Sequence, residues 1–273
     1  MLLQETEFCL TKTSALFLNS SYSVGKELSQ TGQAGLSVFP YTSAALRVRM
    51  RPSHTWSFQF AANDAVPGKA GNPGSPVFVK NSGEGAFVIG EVSYQWAGDK
   101  KEGIGAGKYT VGAWFYITEF EETNAVSSSG KTQRSTANNG VYFMAEQNVY
   151  AESDNIEQGD SYFTRFGFAN GDVNRFNYSI SVGAVYTGLF PSRDQDRIGV
   201  AVTRANNGTG YSERMLTAGS PVTTAELAIE LTYRAQFTPW LSVQPDFQHI
   251  IHPGTQINVE NATTFGTRIE VGL

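Results

Sequence analysis

Cysteine is almost absent from this sequence, because Cys9 is the only thiol among 273 residues. A single cysteine excludes a disulfide framework and a cysteine-based metal site within the chain. Histidine is nearly as rare, and His249 and His252 stand three positions apart in a strand pattern, so their side chains point to opposite faces and cannot chelate one ion. No motif pairs a serine with a histidine for nucleophilic catalysis. The sequence therefore predicts no catalytic site, no metal site and no cofactor.

Long apolar runs are also missing, since no stretch approaches the ~18–20 apolar residues of a membrane-spanning helix. Charged residues make up only 16% of the chain and form no basic block, which argues against a nucleic-acid partner. The first residues, MLLQETEFCLTKTS, lack the basic and apolar regions of a secretory signal, and they place Glu5 and Glu7 where such a signal is apolar. If the chain crosses a membrane, it crosses as strands.

What the sequence does contain is strict alternation of apolar and polar residues between Thr223 and Gly254. The apolar face of the first arm carries Ala225, Leu227, Ile229, Leu231, Tyr233, Ala235 and Phe237. The polar face carries Glu226, Ala228, Glu230, Thr232, Arg234 and Gln236. A second arm restarts after Pro239 with the same period. Both arms exceed an ordinary strand and approach the ~9–11 tilted residues that cross a hydrocarbon layer.

The same pattern recurs along the chain and predicts further strands. They fall at 13–22, 43–51, 55–63, 86–96, 108–117, 139–150, 160–169, 176–187, 196–206, 225–237, 240–251 and 263–273. Aromatic residues are expected at strand ends, where a girdle would lie, at Tyr94, Trp96, Trp114, Tyr116, Tyr186 and Trp240. The apolar faces are expected to point outward, with Phe176, Ile180, Val182, Leu227, Ile229, Leu231, Tyr233 and Phe247. We predict an all-β fold, a transmembrane antiparallel up-and-down β-barrel with about twelve strands. A soluble sandwich also alternates, but it rarely needs so many long strands.

The alternation predicts a wet lumen that carries charges of both signs. The residues expected to line the pore and contact solute are Arg47, Arg49, Arg51, Glu91, Glu146, Arg165, Arg197, Glu226, Glu230, Arg234, Asp246 and Arg268. A mixed lining suits hydroxyl-rich neutral solutes, because donors and acceptors are plentiful and no strong field selects ions. The alternative is that these residues merely neutralise one another across strands. Adjacent Arg47, Arg49 and Arg51 are the best candidates for solute contact.

Several segments resemble one known family. They are ALFLNSSY, FPYTSAALRVRM, NDAVPG, FVIGEVSYQW and LTYRAQFTPWLSVQPDFQHIIHPG, in this order. Together they resemble the OprB-type carbohydrate-selective porins over most of the chain, and the match is most specific in the last segment. The resemblance implies an outer-membrane barrel of roughly sixteen strands that admits glucose and other small sugars by passive diffusion.

The resemblance also implies a place and partners for the chain. Residues 1–273 would form a single porin domain that lacks upstream strands and a signal peptide present in the family. The expected partners are carbohydrate solutes, outer-membrane lipid and the barrel assembly machinery, although Leu273 stands where such barrels usually end in Phe or Trp. A homo-oligomer stays open. The alternative functions are an outer-membrane barrel enzyme and a non-conducting structural barrel.

Overall fold

A computed structural model describes residues 8–33, 35–38, 42–67, 85–98, 105–118, 120–121, 134–135, 137–152 and 158–272. Strands dominate this part of the chain. They are β1 (Ala45–Met50), β2 (Trp56–Asp64), β3 (Ala86–Trp96), β4 (Gly107–Ile117), β5 (Phe120–Glu121), β6 (Arg134–Ser135), β7 (Asn138–Ala151), β8 (Gly159–Ala169), β9 (Phe176–Thr187), β10 (Arg197–Asn207), β11 (Ala225–Thr238), β12 (Leu241–Ile251) and β13 (Ala262–Val271). Helical elements are α1 (Lys26–Ser29), α2 (Thr209–Thr217) and 3-10 turns at Ser14–Leu16, Ser20–Tyr22 and Pro253–Thr255. No described helix has the length and apolarity that a membrane crossing requires.

One antiparallel sheet of eleven strands organises the molecule. Its order is β1-β2-β3-β4-β7-β8-β9-β10-β11-β12-β13, so each of its strands lies beside the next strand of this sheet along the chain. β5 and β6 pair separately as a short ribbon. This is the up-and-down topology that the sequence predicts, and the all-β fold class is confirmed. The described sheet has eleven strands in place of about twelve, and it is not closed into a barrel, since β1 and β13 are its two edges.

The two faces of the sheet differ as the alternation predicts. On β11, Leu231 exposes 49% of its surface, whereas the neighbouring Glu230 and Thr232 are almost completely buried. Large apolar side chains that stay exposed recur along the same face, among them Leu46, Phe60, Val111, Phe265 and Ile269. The outward face is therefore apolar and uncovered, and the inward face is polar and largely covered.

Three aromatic side chains lie on the inward face against expectation. Trp114 and Tyr116 are buried, because they alternate in phase with the inward Lys108 on β4. Phe176 is also buried and lies beneath the Lys26 ammonium group at 5.8 Å. Its orientation has a local cause, since the pairing of β9 with β10 slips between Asn206 and Asn207.

The expected outer aromatic band does form around Tyr94 and Trp96. Ring centroids lie 5.0 Å apart for Trp56 and Tyr94, 5.9 Å for Tyr94 and Trp96, and 5.1 Å for Trp96 and Tyr109. These rings lie on the outward face at the adjoining ends of β2, β3 and β4. Aromatic rings with polar edges suit the boundary between hydrocarbon and water.

The prediction of a strand at 13–22 is wrong. Residues 8–33, which we call the inner segment, form two 3-10 turns and α1 and lie against the inward face of the sheet. The segment cannot alternate, because both Leu16 and Phe17 are buried although they are adjacent. A local signal for the turn is Asn19, whose side chain accepts a hydrogen bond from the Ser21 N–H at 3.1 Å.

Apolar contacts fix the inner segment at two places. Leu16, Phe17 and Tyr22 pack on Phe163 and Val185, which project inward from β8 and β9. Another cluster joins the inner segment to β2, β3, β4 and β7 through Phe8, Cys9, Val24, Leu28, Phe87, Ile89, Trp114 and Tyr142. The sheet is thus wrapped around an insert that has its own apolar core.

Small residues in the sheet make room for this insert. A Cβ atom added to Gly199 on β10 would lie 2.8 Å from the Phe17 ring and 2.9 Å from a Leu16 methyl group. A Cβ atom on Gly167 would collide with the carboxylate of Glu27. Glycine at these positions permits a close approach that any other residue would obstruct.

Candidate solute pathway

The inward face divides into two regions. We call the inner faces of β8–β12, which contact the inner segment, the covered region. We call the cavity over β1–β4, lined by Leu10, Arg47, Arg49, Ser57, Gln59, Glu91, Ser93 and Lys108, the open region. The charged residues expected to line a lumen fall into both regions, and their surroundings differ.

Arg165 is a fully buried charge of the covered region. Its guanidinium and the Glu27 carboxylate from α1 are 2.5 Å apart, and both side chains are fully buried. Ser179 also donates a hydrogen bond to Glu27, and the ring of Tyr142 lies 5.5 Å from the guanidinium carbon. A buried ion pair of this kind is stable only when both charged partners and their hydrogen bonds are present. It therefore locks α1 to β8 and β9.

Carboxylates of the wall hold the backbone of the inner segment. Glu230 accepts hydrogen bonds from the N–H groups of Leu18 at 2.6 Å and Asn19 at 3.0 Å. Glu146 accepts from the Thr13 N–H at 3.0 Å and from its hydroxyl at 3.1 Å. These bonds satisfy peptide groups that would otherwise be orphaned away from the sheet. Both carboxylates thus contact protein in this structure.

Cationic and amide side chains hold the carbonyl groups of the same segment. Arg197 donates to the Lys12 carbonyl at 3.2 Å, and Gln244 donates to the Leu16 carbonyl at 2.8 Å. Glu226 pairs with Lys26 and also accepts from the Gly254 N–H at 2.7 Å. Sequence reasoning missed Lys26 and Glu27 as partners, because they lie outside every alternating segment. Gln244 alternates on the polar face of the second arm, but it carries no charge and was not counted among the lumen residues.

A cross-strand network near β13 accounts for Arg234, Asp246 and Arg268. Arg234 donates to Glu270 at 2.8 Å, and Arg268 donates to the Gln244 side chain at 2.8 Å. Asp246 accepts from Gln248 at 2.9 Å through one oxygen, and its other oxygen is buried with no hydrogen-bond partner among the described residues. The two arginine contacts follow the cross-strand pairing that the sequence left open as an alternative role, whereas the Asp246 contact lies within β12.

The open region gathers residues from four strands in register. Arg49 faces Gln59, and Gln59 faces Glu91 on the next strand. Glu91 accepts hydrogen bonds from the Cys9 N–H and the Tyr142 hydroxyl, each at 2.7 Å, and from the Gln59 amide. The structure brings Arg47 and Arg49 into one cavity, whereas Arg51 lies exposed beyond the end of β1 and does not line it.

Cys9, whose N–H contacts Glu91, is buried in the apolar cluster of the inner segment, and its thiol is unreactive. Burial raises the pKa of the Cys9 thiol to about 12, outweighing the opposing influence of the Arg165 charge. The thiol stays protonated at neutral pH, so it is a poor nucleophile. It serves as a buried apolar contact of the inner segment.

The family described as "Carbohydrate-selective porin, OprB family" matches residues 4–273 of the chain. Porin B of Pseudomonas aeruginosa is 26% identical over 258 residues, which cover 85% of this chain and 55% of Porin B. The high-pH structure of Pseudomonas putida OprB superimposes with a TM-score of 0.74 at 24% identity and covers 86% of this chain and 60% of that chain. The low-pH structure of the same protein gives 0.53 at 21% identity and covers 85% and 56%. The chain thus spans little more than half the length of these relatives, and the structural likeness shows the fold.

Proposed function

We propose that this chain, which belongs to the OprB family of carbohydrate-selective porins, forms the wall of a water-filled path for the passive diffusion of small carbohydrates. Membership of this family places the chain in the outer membrane of Gram-negative bacteria. The family is one of channels, and the absence of catalytic activity in this chain is part of the proposal. Glucose and other small sugars are the proposed solutes. Lipid, the barrel assembly machinery and a second copy of the chain are the proposed partners.

The observation that carries the proposal is the opposite character of the two faces. Leu231 and Phe60 stay exposed on the outward face, where only lipid makes apolar exposure favourable. The inward face carries arginine, glutamate, glutamine and serine, which suit water and solutes rich in hydroxyl groups. A sheet with these faces separates hydrocarbon from an aqueous path.

The inner segment gives this path its shape. It occupies the covered region, where wall charges such as Arg165 and Glu230 are bound to it, and it leaves the open region as a polar cavity. We propose that solute passes along the open region and that Arg47 and Arg49 contact it there. The other wall residues predicted from the sequence, apart from Arg51 beyond the end of β1, would shape the lumen mainly by holding the segment and one another. They are Glu91, Glu146, Arg165, Arg197, Glu226, Glu230, Arg234, Asp246 and Arg268.

Reconstitution of the full 273-residue chain tests this function. The chain is refolded in detergent and added to planar bilayers and to liposomes, with detergent alone as the control. We expect discrete conductance steps and entry of glucose above the control. A chain that inserts, as shown by a heat-dependent shift in gel mobility, and passes neither ions nor glucose would be a structural barrel.

A further inference from the structure

Arg204 places a positive charge on the outward face of the sheet. It alternates in phase with the exposed Val200 on β10, whereas the neighbouring Thr203 and Ala205 are buried on the inward side. Among the eleven strands of the described sheet, no other lysine or arginine projects from the outward face. A charge in this position is unfavourable unless a polar group meets it, because its cost rises toward the bilayer midplane.

No described protein group neutralises Arg204. Its cross-strand neighbours are Ile180 on β9 and Leu227 on β11, and neither strand carries a carboxylate on its outward face. The Arg204 side chain forms no ion pair and no hydrogen bond with the part of the chain that the structure describes. His249 on the same face does have a partner, since its Nδ1 atom lies 2.9 Å from the Thr263 hydroxyl. The guanidinium donors of Arg204 are therefore available to a molecule outside the chain.

The position of Arg204 along β10 brings its charge near the edge of the hydrocarbon layer. The strand ends three residues later at Asn207, which is about 10 Å along an extended chain and less in depth for a tilted strand. The connections at this end include 208–224 and 252–261, whereas β11 and β12 are joined at the opposite end by 239–240 alone. The longer connections of such barrels face the cell exterior. The long side chain of Arg204 therefore reaches the headgroup level of the outer leaflet.

Tyr178 adds a second polar group beside Arg204. It projects from the outward face of β9 and pairs with Asn206, two positions nearer the strand end than Arg204. The Tyr178 hydroxyl forms no hydrogen bond with any described residue, and its ring centroid lies 6.2 Å from that of Phe168. Diagonal neighbours on adjacent strands are within reach of aromatic and long side chains. The guanidinium and the phenol thus form one polar site at the end of β9 and β10.

The surface below this site suits acyl chains, and the site itself suits a phosphate. Large apolar side chains stay exposed on β8–β11, and they are Phe166, Phe168, Val182, Val200 and Leu231. The forked donors of a guanidinium match two oxygens of a phosphate, and a phenol donates one more hydrogen bond. A lipid that carries a phosphate in its headgroup presents both complementary parts at the correct levels.

We infer that Arg204 and Tyr178 form a binding site for the phosphate of an outer-leaflet lipid. The guanidinium and the phenol donate to the phosphate oxygens, and the acyl chains lie on the apolar outward face of β8–β11. The site stands on the opposite side of the wall from the solute path. It therefore goes beyond the proposed function, and neither depends on the other.

Native mass spectrometry of the refolded 273-residue chain in detergent tests the inference. The probes are lipid A, which carries phosphate, and a galactolipid without charge. We expect the wild type to retain lipid A in preference to the galactolipid, and Arg204→Gln to retain at least about threefold less lipid A, because charge-assisted hydrogen bonds are lost. Arg204→Lys keeps the charge without the fork and should retain an intermediate amount. Equal retention of lipid A by the wild type and Arg204→Gln would overturn the inference.

Controls separate this site from other sources of the same effect. Arg51→Gln removes an equal charge from an exposed position beyond β1 and should retain lipid A as the wild type does. A heat-dependent shift in gel mobility shows that each variant is folded, and Tyr178→Phe, which removes only a hydroxyl, should also weaken retention. Excess inorganic phosphate should leave lipid A bound, because acyl contacts add to its affinity, and complete displacement would contradict a lipid site. A change in oligomeric state in Arg204→Gln with unchanged lipid retention would assign Arg204 to a second copy and overturn the inference.

Discussion

The covered and open regions arise from the same alternating pattern, yet their charges have different roles. In the covered region, Arg165 and Glu230 are completely buried and bind the inner segment. In the open region, Arg49 is exposed and borders a cavity. The strand pattern fixes only which face a residue occupies, and a distant segment decides whether that residue meets protein or water. A charge on the inward face therefore has a structural role where the inner segment lies over it, and it faces the solute path where the inner segment does not.

Removal of the buried anion should have the largest effect on this contrast. Glu27→Gln keeps the shape of the side chain but leaves the Arg165 guanidinium without a counter-charge in a fully buried site. We expect the free energy of unfolding to fall by about 3–5 kcal/mol. Arg49→Gln, at an exposed site in the open region, should lower it by less than about 1 kcal/mol, because water screens the interactions of an exposed charge. Chemical unfolding of the refolded chain, followed by tryptophan fluorescence, measures both.

A double variant and a thiol probe sharpen that test. Glu27→Leu combined with Arg165→Met removes both charges and should recover most of the lost stability. Cys9, buried beside the same cluster, should resist a charged maleimide at pH 8 in the wild type and react faster in Glu27→Gln. Equal losses from Glu27→Gln and Arg49→Gln would show that the two regions do not differ.

A charge on the outward face should not distinguish the regions. Leu231→Arg, on β11, and Phe60→Arg, on β2, each place a guanidinium among exposed apolar side chains. Both should cost roughly 2–4 kcal/mol near the bilayer midplane. Equilibrium unfolding in lipid vesicles measures the two changes. A large cost at Leu231 with none at Phe60 would mean that lipid contacts only one part of the sheet.

A single added methyl group probes the fit of the inner segment. Gly199→Ala places Cβ against Phe17 and Leu16, whereas the nearest neighbour of a Cβ on Gly90 lies 3.7 Å away. Overpacking should destabilise Gly199→Ala by about 1–3 kcal/mol. Gly90→Ala should be close to neutral. Thermal unfolding compares the pair, and a neutral result at Gly199 would contradict close packing of the segment on β10.

Substitution of the arginines on and after β1 should change stability least and transport most clearly. Replacing Arg47, Arg49 and Arg51 together by Gln should shift ion preference toward cations, because lumen cations repel cations. Arg51 lies outside the cavity, so the double variant at Arg47 and Arg49 should produce most of the shift. Reversal potentials under a salt gradient give the ion preference. An unchanged value in the triple variant would remove these residues from the path.

The sheet could be predicted from the sequence because each strand carries its own signal. Glu226 and Glu230 fall on one face of β11 and Leu227 and Leu231 on the other, and period two alone places them. The rule fails for Phe176, because the alternation of apolar and polar residues does not reveal the register shift between β9 and β10. Local pattern determines a face, and pairing between strands can overrule it at an end.

The structure of the inner segment could not be predicted in the same way. The 3-10 turns around Leu16 and Tyr22 depend on partners far away in the chain, such as Glu230 for the Leu18 N–H. No periodic pattern predicts such contacts, and the residues of the inner segment by themselves resemble a weakly alternating strand. The twelve predicted lumen residues thus stay predictions for solute contact, with the cavity as the place to test Arg47 and Arg49.

The bonds that hold the inner segment also order the events of folding. They join residues far apart in sequence, from a separation of 82 for Cys9 with Glu91 to 228 for Leu16 with Gln244. Contacts of such long range form slowly, because much chain must be immobilised before they become favourable. The anchors lie on β3, β4, β7, β8, β10, β11 and β12, so they come together only after the strands have paired. The inner segment should consequently dock last, as a late and cooperative step that narrows the path along the described sheet.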